Sequence, residues 1–164
     1  MRTVWAGLAL LIIVTLAGCA PKIPSYNGPE VTRILVYKES RRMYLMHDEA
    51  VLAAYDIDLG FAPVGDKEQS GDGKTPTGDY IIDRRNPNSQ FFLSLGISYP
   101  DANDIAAARA AGVDPGGDIF IHGESSILGR RGTDWTWGCI SVSNKEMAQI
   151  WAMVPTGAPI SIYE

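Results

Sequence analysis

Ile119-Phe120-Ile121-His122-Gly123 opens the most informative stretch of this chain, and Asp134-Trp135-Thr136-Trp137-Gly138-Cys139-Ile140 closes it. The first run is a short apolar strand that delivers a histidine at its end. The second places a cysteine after a glycine and before apolar residues. A thiolate is a strong nucleophile, but an ordinary cysteine is only a few per cent ionised at neutral pH. A neighbouring imidazole can take the proton and return it to a leaving amine. Gly138 lets the backbone turn tightly, so that amide N–H groups face a developing oxyanion, with Thr136 and Gly123 supporting the loop. Taken singly, each residue has a plainer reading. A lone cysteine beside Ile140 is most often a small core hydrophobe, and a lone histidine after a strand a satisfied polar cap.

Outward from this stretch, short strands dominate. Residues 31–37 are rich in β-branched types, and 43–46 and 51–59 follow across polar turns, which suggests an antiparallel meander. Residues 60–78 carry five glycines and two prolines and read as loop. Residues 79–83, 91–95, 118–122 and 159–163 read as further strands. Residues 104–111 are Ala-rich and stop at Gly112, as helix C-termini often do. Ser143-Asn144-Lys145-Glu146 fits a capping box. A helix to about 154 follows, with Met147, Ile150, Trp151 and Val154 on one face. Many strands with two short helices make a mostly-β domain.

The chain has 164 residues, 46% apolar and 20% charged, with a net charge of −5. This suits one globular domain and speaks against nucleic acid, whose phosphates demand a basic face. Two cysteines and two histidines, at 19, 47, 122 and 139, lack the paired spacings of a zinc site. Arg2 is the only charge before residue 20, and 4–18 are almost wholly apolar, too short for a comfortable membrane span. The segment reads as a secretory signal, residues 1–18. It ends Leu16-Ala17-Gly18-Cys19, which resembles a bacterial lipobox with Cys19 lipidated. Residues 19–30 read as a Pro- and Gly-rich tether. The expected address is the cell envelope, on a lipid anchor at the periplasmic face of the outer membrane. Cys139 then has no disulfide partner in an oxidising compartment, so it is either buried and inert or chemically used.

His122-Gly123 followed by Thr136-Trp137-Gly138-Cys139-Ile140 resembles the active-site signature of the YkuD-type L,D-transpeptidase family. Gly71-Asp72-Gly73-Lys74-Thr75-Pro76-Thr77-Gly78, Leu59-Gly60 and Ser98-Tyr99-Pro100 are also similar to that family, and the resemblance covers 31–163. It implies a mostly-β, sandwich-like catalytic domain that acts on peptidoglycan stem peptides without a cofactor or metal. Cys139 would attack the diaminopimelate carbonyl of a tetrapeptide stem and release D-Ala, with His122 as base and then acid. The acyl group would pass to an amine, either a second diaminopimelate or a lysine of an envelope lipoprotein. Carbapenems would acylate Cys139. Two departures stand out. Ser141 replaces an arginine found in many members, and Trp137 replaces a histidine or other polar residue. Arg130 and Arg131 are then candidates for the stem's carboxylates; Trp137 and Ser141 are further candidate contacts.

Other motifs fall away. Gly73-Lys74-Thr75 lacks the first glycine of a phosphate loop, because Glu68 stands there. His122-Gly123-Glu124 lacks the paired cysteines of a zinc deaminase. His47, beside Asp48 in a polar turn, reads as a surface residue. Two rivals to the transpeptidase remain. One is a carboxypeptidase or hydrolase using water at the same site. The other is a non-catalytic wall-binding lipoprotein.

Overall fold

A computed structural model describes residues 23–124 and 132–164. The lipobox with Cys19, the signal segment, and Arg130 and Arg131 lie outside the described residues. The elements in chain order are β1 (Arg33–Tyr37), β2 (Arg42–His47), β3 (Ala50–Asp56), β4 (Gly78–Asn86), β5 (Ser94–Ile97), α1 (Ala102–Ala111), β6 (Phe120–His122), β7 (Ile140–Ser141), α2 (Asn144–Met153) and β8 (Pro159–Tyr163).

The strands form one curled sheet in the order β3-β2-β1-β8-β4-β5-β6-β7. The expected meander is β1–β3. Its two turns each use a polar residue with positive φ, Arg41 at 54° and Asp48 at 49°. Strand β8 returns from the far end of the sequence to lie parallel to β1, with Ile34 opposite Ile160 and Val36 opposite Ile162. Strand β4 serves both halves. Gly78–Ile81 pair with β8, the register shifts between Ile82 and Arg84, and Arg84–Asn86 pair with β5. The chain beyond β3 then bridges to the opposite edge, Asp58 to Ser141 and Gly60 to Thr136. The sheet thus curls until its two ends meet beside the sequence that carries the cysteine.

The core fills the inside of this curl. Ile34, Leu45, Ile82, Leu95, Ile121 and Ile140 are fully buried, and Met147 and Ile150 of α2 close it from one side. Burying one such side chain contributes roughly 1.5–3 kcal/mol. Helix α2 starts where the capping box places it. The Ser143 hydroxyl accepts from the Glu146 N–H, and the Glu146 carboxylate accepts from the Ser143 N–H.

Several boundaries differ from the sequence reading. Helix α1 starts at Ala102, not 104, because Asp101 is its N-cap and Asp104 the reciprocal acid three residues on. The strand expected at 91–95 is Ser94–Ile97, because Phe92 takes φ 72° and turns the chain. The strand expected at 118–122 begins at Phe120, since Asp118 has φ 55°. The stretch expected to extend the third strand to 59 leaves β2 after Asp56 to make the closing bridges.

Candidate active site

Two rows of residues cross β4, β5, β6 and β7 on one face of the sheet. One row is Asn86, Ser94, His122 and Ser141. The other is Arg84, Gly96 and Phe120, and continues to Cys139, the residue before β7. The row between them, Arg85, Leu95, Ile121 and Ile140, points its last three side chains into the core. Strand alternation thus puts His122 and Cys139 on the same face, two positions apart on neighbouring strands. Both line a cleft of about 380 Å³, together with Asn86, Ser94, Phe91, Asp118 and Phe120.

His122 is buried, and its Nδ1 lies 2.6 Å from the Gly123 carbonyl oxygen. A carbonyl only accepts, so Nδ1 carries the proton and Nε2 keeps its lone pair. Two rings enclose the imidazole. Phe91 lies 4.6 Å away at 32°, and Trp135 lies 5.7 Å away, edge-on at 70°. Burial pushes the His122 pKa below its ordinary value, and the Gly123 hydrogen bond opposes this more weakly. The imidazole is therefore neutral at pH 7. Gly123 is pinned in turn, its N–H donating to the Phe91 carbonyl at 3.1 Å. A Cβ there would strike the Asn144 side chain.

The Cys139 thiol points its S–H at the Asp118 carbonyl, 3.5 Å away. Burial pushes the thiol up to about 11. The Phe120 N–H and the charge of Lys67 work against this rise, and the Asp118 carboxylate adds to it. The resting pair is therefore thiol and neutral imidazole rather than a preformed ion pair.

The turn before Cys139 is built from both sides. Gly138 has φ 122°, and a Cβ on it would sit 2.6 Å from the Lys74 carbonyl oxygen. Its N–H donates to the Thr136 hydroxyl at 3.2 Å, and that hydroxyl donates to the Cys139 carbonyl at 2.7 Å. Thr136 thus supports the loop as expected from sequence, and the Gly138 N–H is spent on that support. The glycine-rich block at 71–78 acts as the back wall. The Asp72 carboxylate accepts N–H groups from Glu68, Gln69 and Lys74 and pairs with the buried Lys67 at 2.9 Å. Burial disfavours its charge, but these donors together hold Asp72 down at about 2. From the other side, Arg41 forks onto Asp134, Nε and Nη2 reaching its carboxylate at 3.0 and 2.8 Å. Asp134 also accepts the Leu59 N–H at 3.0 Å.

The remaining sequence candidates fall elsewhere. Trp137 does not line the cleft. It is 72% exposed and stands edge-on to Phe61 at 5.0 Å. Ser141 is buried and faces a separate acidic hollow with Asp56, Asp58, Glu124 and Glu146. Its backbone exchanges hydrogen bonds with Asp58. His47 is a surface residue, its Nδ1 2.8 Å from the Glu30 carbonyl oxygen. Phe91 and Asp118 line the cleft but were not singled out from sequence, because the turns at Phe92 and Asp118 carry no local signal.

The family model of the L,D-transpeptidase catalytic domain matches residues 31–162. The chain belongs to the L,D-transpeptidase catalytic domain family. YafK of Escherichia coli strain K12, an L,D-transpeptidase by name, is 30% identical over 131 residues, 76% of this chain and 47% of that protein. The helical cell shape determining protein Pgp2 from Campylobacter jejuni superposes with a TM-score of 0.63 at 25% identity, covering 90% of this chain and 53% of Pgp2. An L,D-transpeptidase from Mycobacterium smegmatis shares the fold, with a TM-score of 0.55 at 15% identity over 82% of this chain and 59% of its own. The chain spans about half the length of the curated relatives it matches. The mostly-β L,D-transpeptidase fold is the one expected from sequence. Among the described residues of this L,D-transpeptidase domain, no group of three or more His, Cys, Asp or Glu side chains is placed to hold a metal ion.

Proposed function

We propose that this chain is a cysteine-dependent peptidoglycan L,D-transpeptidase. The observation that carries this reading is the neutral His122, its Nδ1–H held by Gly123, on the same face and in the same cleft as Cys139. His122 Nε2 accepts the thiol proton as Sγ attacks the diaminopimelate carbonyl of a tetrapeptide stem. The Cys139 backbone N–H, beside the attacked carbonyl, would serve as a donor to the tetrahedral oxyanion. Collapse breaks the amide bond, and His122 returns the proton to the departing D-Ala amine. An acceptor amine, of a second diaminopimelate or of a lipoprotein lysine, then attacks the thioester. It loses its proton to His122 and restores the thiol. Water in place of the amine gives a free carboxylic acid and a carboxypeptidase. A lipid on Cys19 would hold the domain at the envelope membrane.

Two features support this route over a resting ion pair. The thiol near 11 stays protonated until substrate arrives, and the buried imidazole is unprotonated and able to accept. The test is product analysis. The protein is incubated with disaccharide-tetrapeptide, with Cys139→Ala as control, and products are read by mass spectrometry. Crosslinked dimer plus free D-Ala, absent from the control, is expected. Tripeptide alone reassigns the acceptor to water. No turnover, with Cys139 also inert to a carbapenem, favours a wall-binding lipoprotein instead.

A further inference from the structure

Residues 23–30, which the sequence reads as tether, do not stand away from the domain. Pro24 borders a groove of about 380 Å³ formed with Phe92 and with Asn144, Lys145, Ala148 and Gln149 of α2. Tyr26 is half-buried, its hydroxyl donating to the Pro29 carbonyl at 2.8 Å. A Cβ on Gly28 would sit 2.5 Å from that hydroxyl, so the glycine makes room for the folded ring. His47 meets the Glu30 carbonyl at 2.8 Å, and Val31 is already in the core. The chain therefore follows the domain from Pro24 onward, and Ile23, the residue before it, is 41% exposed.

That placement shortens the reach of an anchor. Four Cα steps separate Cys19 from Ile23 and span at most about 14 Å. The headgroup layer of a bilayer is itself roughly 5–8 Å thick. Whatever path Ala20, Pro21 and Lys22 take, a lipid on Cys19 leaves the surface around Ile23 and Pro24 within about 10 Å of the headgroups. The groove suits that neighbour. Pro24, Phe92 and Ala148 are apolar, Asn144 and Gln149 are neutral amides, and Lys145 is its one charge. The whole chain carries −5, so anionic lipid repels most of its surface and accepts this patch. Phe92 turns with φ 72°, an outlier for a bulky side chain. That turn gives Phe91 to the cleft of Cys139 and Phe92 to the groove.

We propose that this groove is the face on which the domain sits against a lipid bilayer, with Pro24 and Phe92 at the headgroup–acyl boundary and Lys145 among anionic headgroups. The inference rests on lipidation of Cys19 and goes beyond the acyl-transfer reading. A ring at the boundary with an ammonium reaching outward is how interfacial surfaces divide apolar and charged contact. Because Phe91 and Phe92 are adjacent, the cleft is held beside the membrane, and acyl transfer takes place close to its surface.

The test reads which face meets lipid. Full-length Cys139→Ala protein, purified from membranes, receives one new thiol by Gln149→Cys, Ala110→Cys or Val51→Cys, the Cys19 sulfur being blocked by its lipid. Each thiol is labelled with a fluorophore, and the protein is reconstituted into vesicles of phosphatidylethanolamine and phosphatidylglycerol carrying a headgroup nitroxide. Quenching at Gln149 is expected to exceed that at Ala110 on α1 and Val51 on β3 by at least about twofold, since the quenching layer is only roughly 5–8 Å thick. Lys145→Glu should remove this excess by setting a carboxylate against anionic lipid. A carboxylate in the first turn of α2 suits the helix, so the variant keeps its fold. Equal quenching at the three positions, or an excess untouched by Lys145→Glu, overturns the proposal. Failure of the anchor reading shows separately, as an N-terminal peptide whose mass lacks acyl chains on Cys19, and it withdraws the proposal with it.

Discussion

Substituting Gly138 by alanine isolates the geometry that places Cys139 in the cleft. Two costs arise, and a second glycine separates them. Gly157, in the turn between α2 and β8, has φ 91° and nothing within 4 Å of a Cβ position. Gly157→Ala therefore carries only the backbone cost, about 1–2 kcal/mol. Gly138 has φ 122°, and its Cβ would sit 2.6 Å from the Lys74 carbonyl oxygen and 3.1 Å from Ile119 Cδ1. Backbone strain of about 1–3 kcal/mol is joined by about 1–3 kcal/mol of overpacking. The loss is thus about 2–6 kcal/mol, against backbone atoms that cannot swing aside as a flexible side chain would. Relief requires the turn to back away from Lys74, and Cys139 moves with it. A displacement of about 1 Å at a reacting atom costs on the order of 10²-fold in rate. Thermal melts and the acylation rate of Cys139 by a carbapenem read the two effects. The expected result is a larger drop in Tm for Gly138→Ala than for Gly157→Ala, with acylation slowed about 100-fold only in the former. Equal melts, or acylation at the unmodified rate in Gly138→Ala, would refute the role given to Lys74 as back wall.

Four further outcomes follow from the same geometry. Turnover should fall as pH drops through the His122 value, which burial places below the ordinary 6.5, while Cys139 alkylation should keep rising toward pH 11. A rate profile with a thiolate plateau at neutral pH would contradict it. The same shift has a stability sign. Because the folded His122 pKa is lowered, its neutral form contributes stability fully above about 6.5, and this is lost as pH falls toward the folded value. Opening the ring stack with Phe91→Ala admits water to the imidazole, so the acid limb of the rate profile should move to higher pH. An unmoved limb would show that Phe91 does not set the imidazole's environment. Asp134→Asn should cost about 1 kcal/mol, because the pair with Arg41 is only partly buried. Burial opposes the Asp134 charge, but Arg41 and the Leu59 N–H hold its pKa below the ordinary value. Their contribution is therefore present above the ordinary carboxylate value and lost as pH falls through the folded one. Melts of both proteins from pH 7 to 3 should converge; a constant gap would contradict the ion-pair assignment.

Local chemistry made some parts of this protein legible in sequence. The β1–β3 meander alternates and turns at polar residues, and Ser143 with Glu146 announces α2. His122 and Cys139 were legible because a strand end and a Gly-Cys turn are local signals. What joins them is not local. The pairing of β8 with β1 links residues more than 120 positions apart. Phe91 and Phe92 look like strand by type, yet Phe92 turns with φ 72° and leaves Phe91 beside the imidazole. That the Thr136 hydroxyl folds back to tie the Gly138 N–H to the Cys139 carbonyl is likewise set by the turn's three-dimensional course. Trp135 and Trp137, two positions apart, part company because one packs on His122 and the other stands in solvent against Phe61. Arg84 acquires its position only because Gly96 is empty on the next strand.

The central claim is that Cys139 carries the acyl group with His122 as its base. Intact-protein mass spectrometry after brief mixing with disaccharide-tetrapeptide tests it most directly. The account predicts an adduct equal to the stem less D-Ala, mapped to Cys139, absent in Cys139→Ala and strongly slowed in His122→Ala. Release of D-Ala by Cys139→Ala, or an adduct that forms as fast without His122, would contradict it.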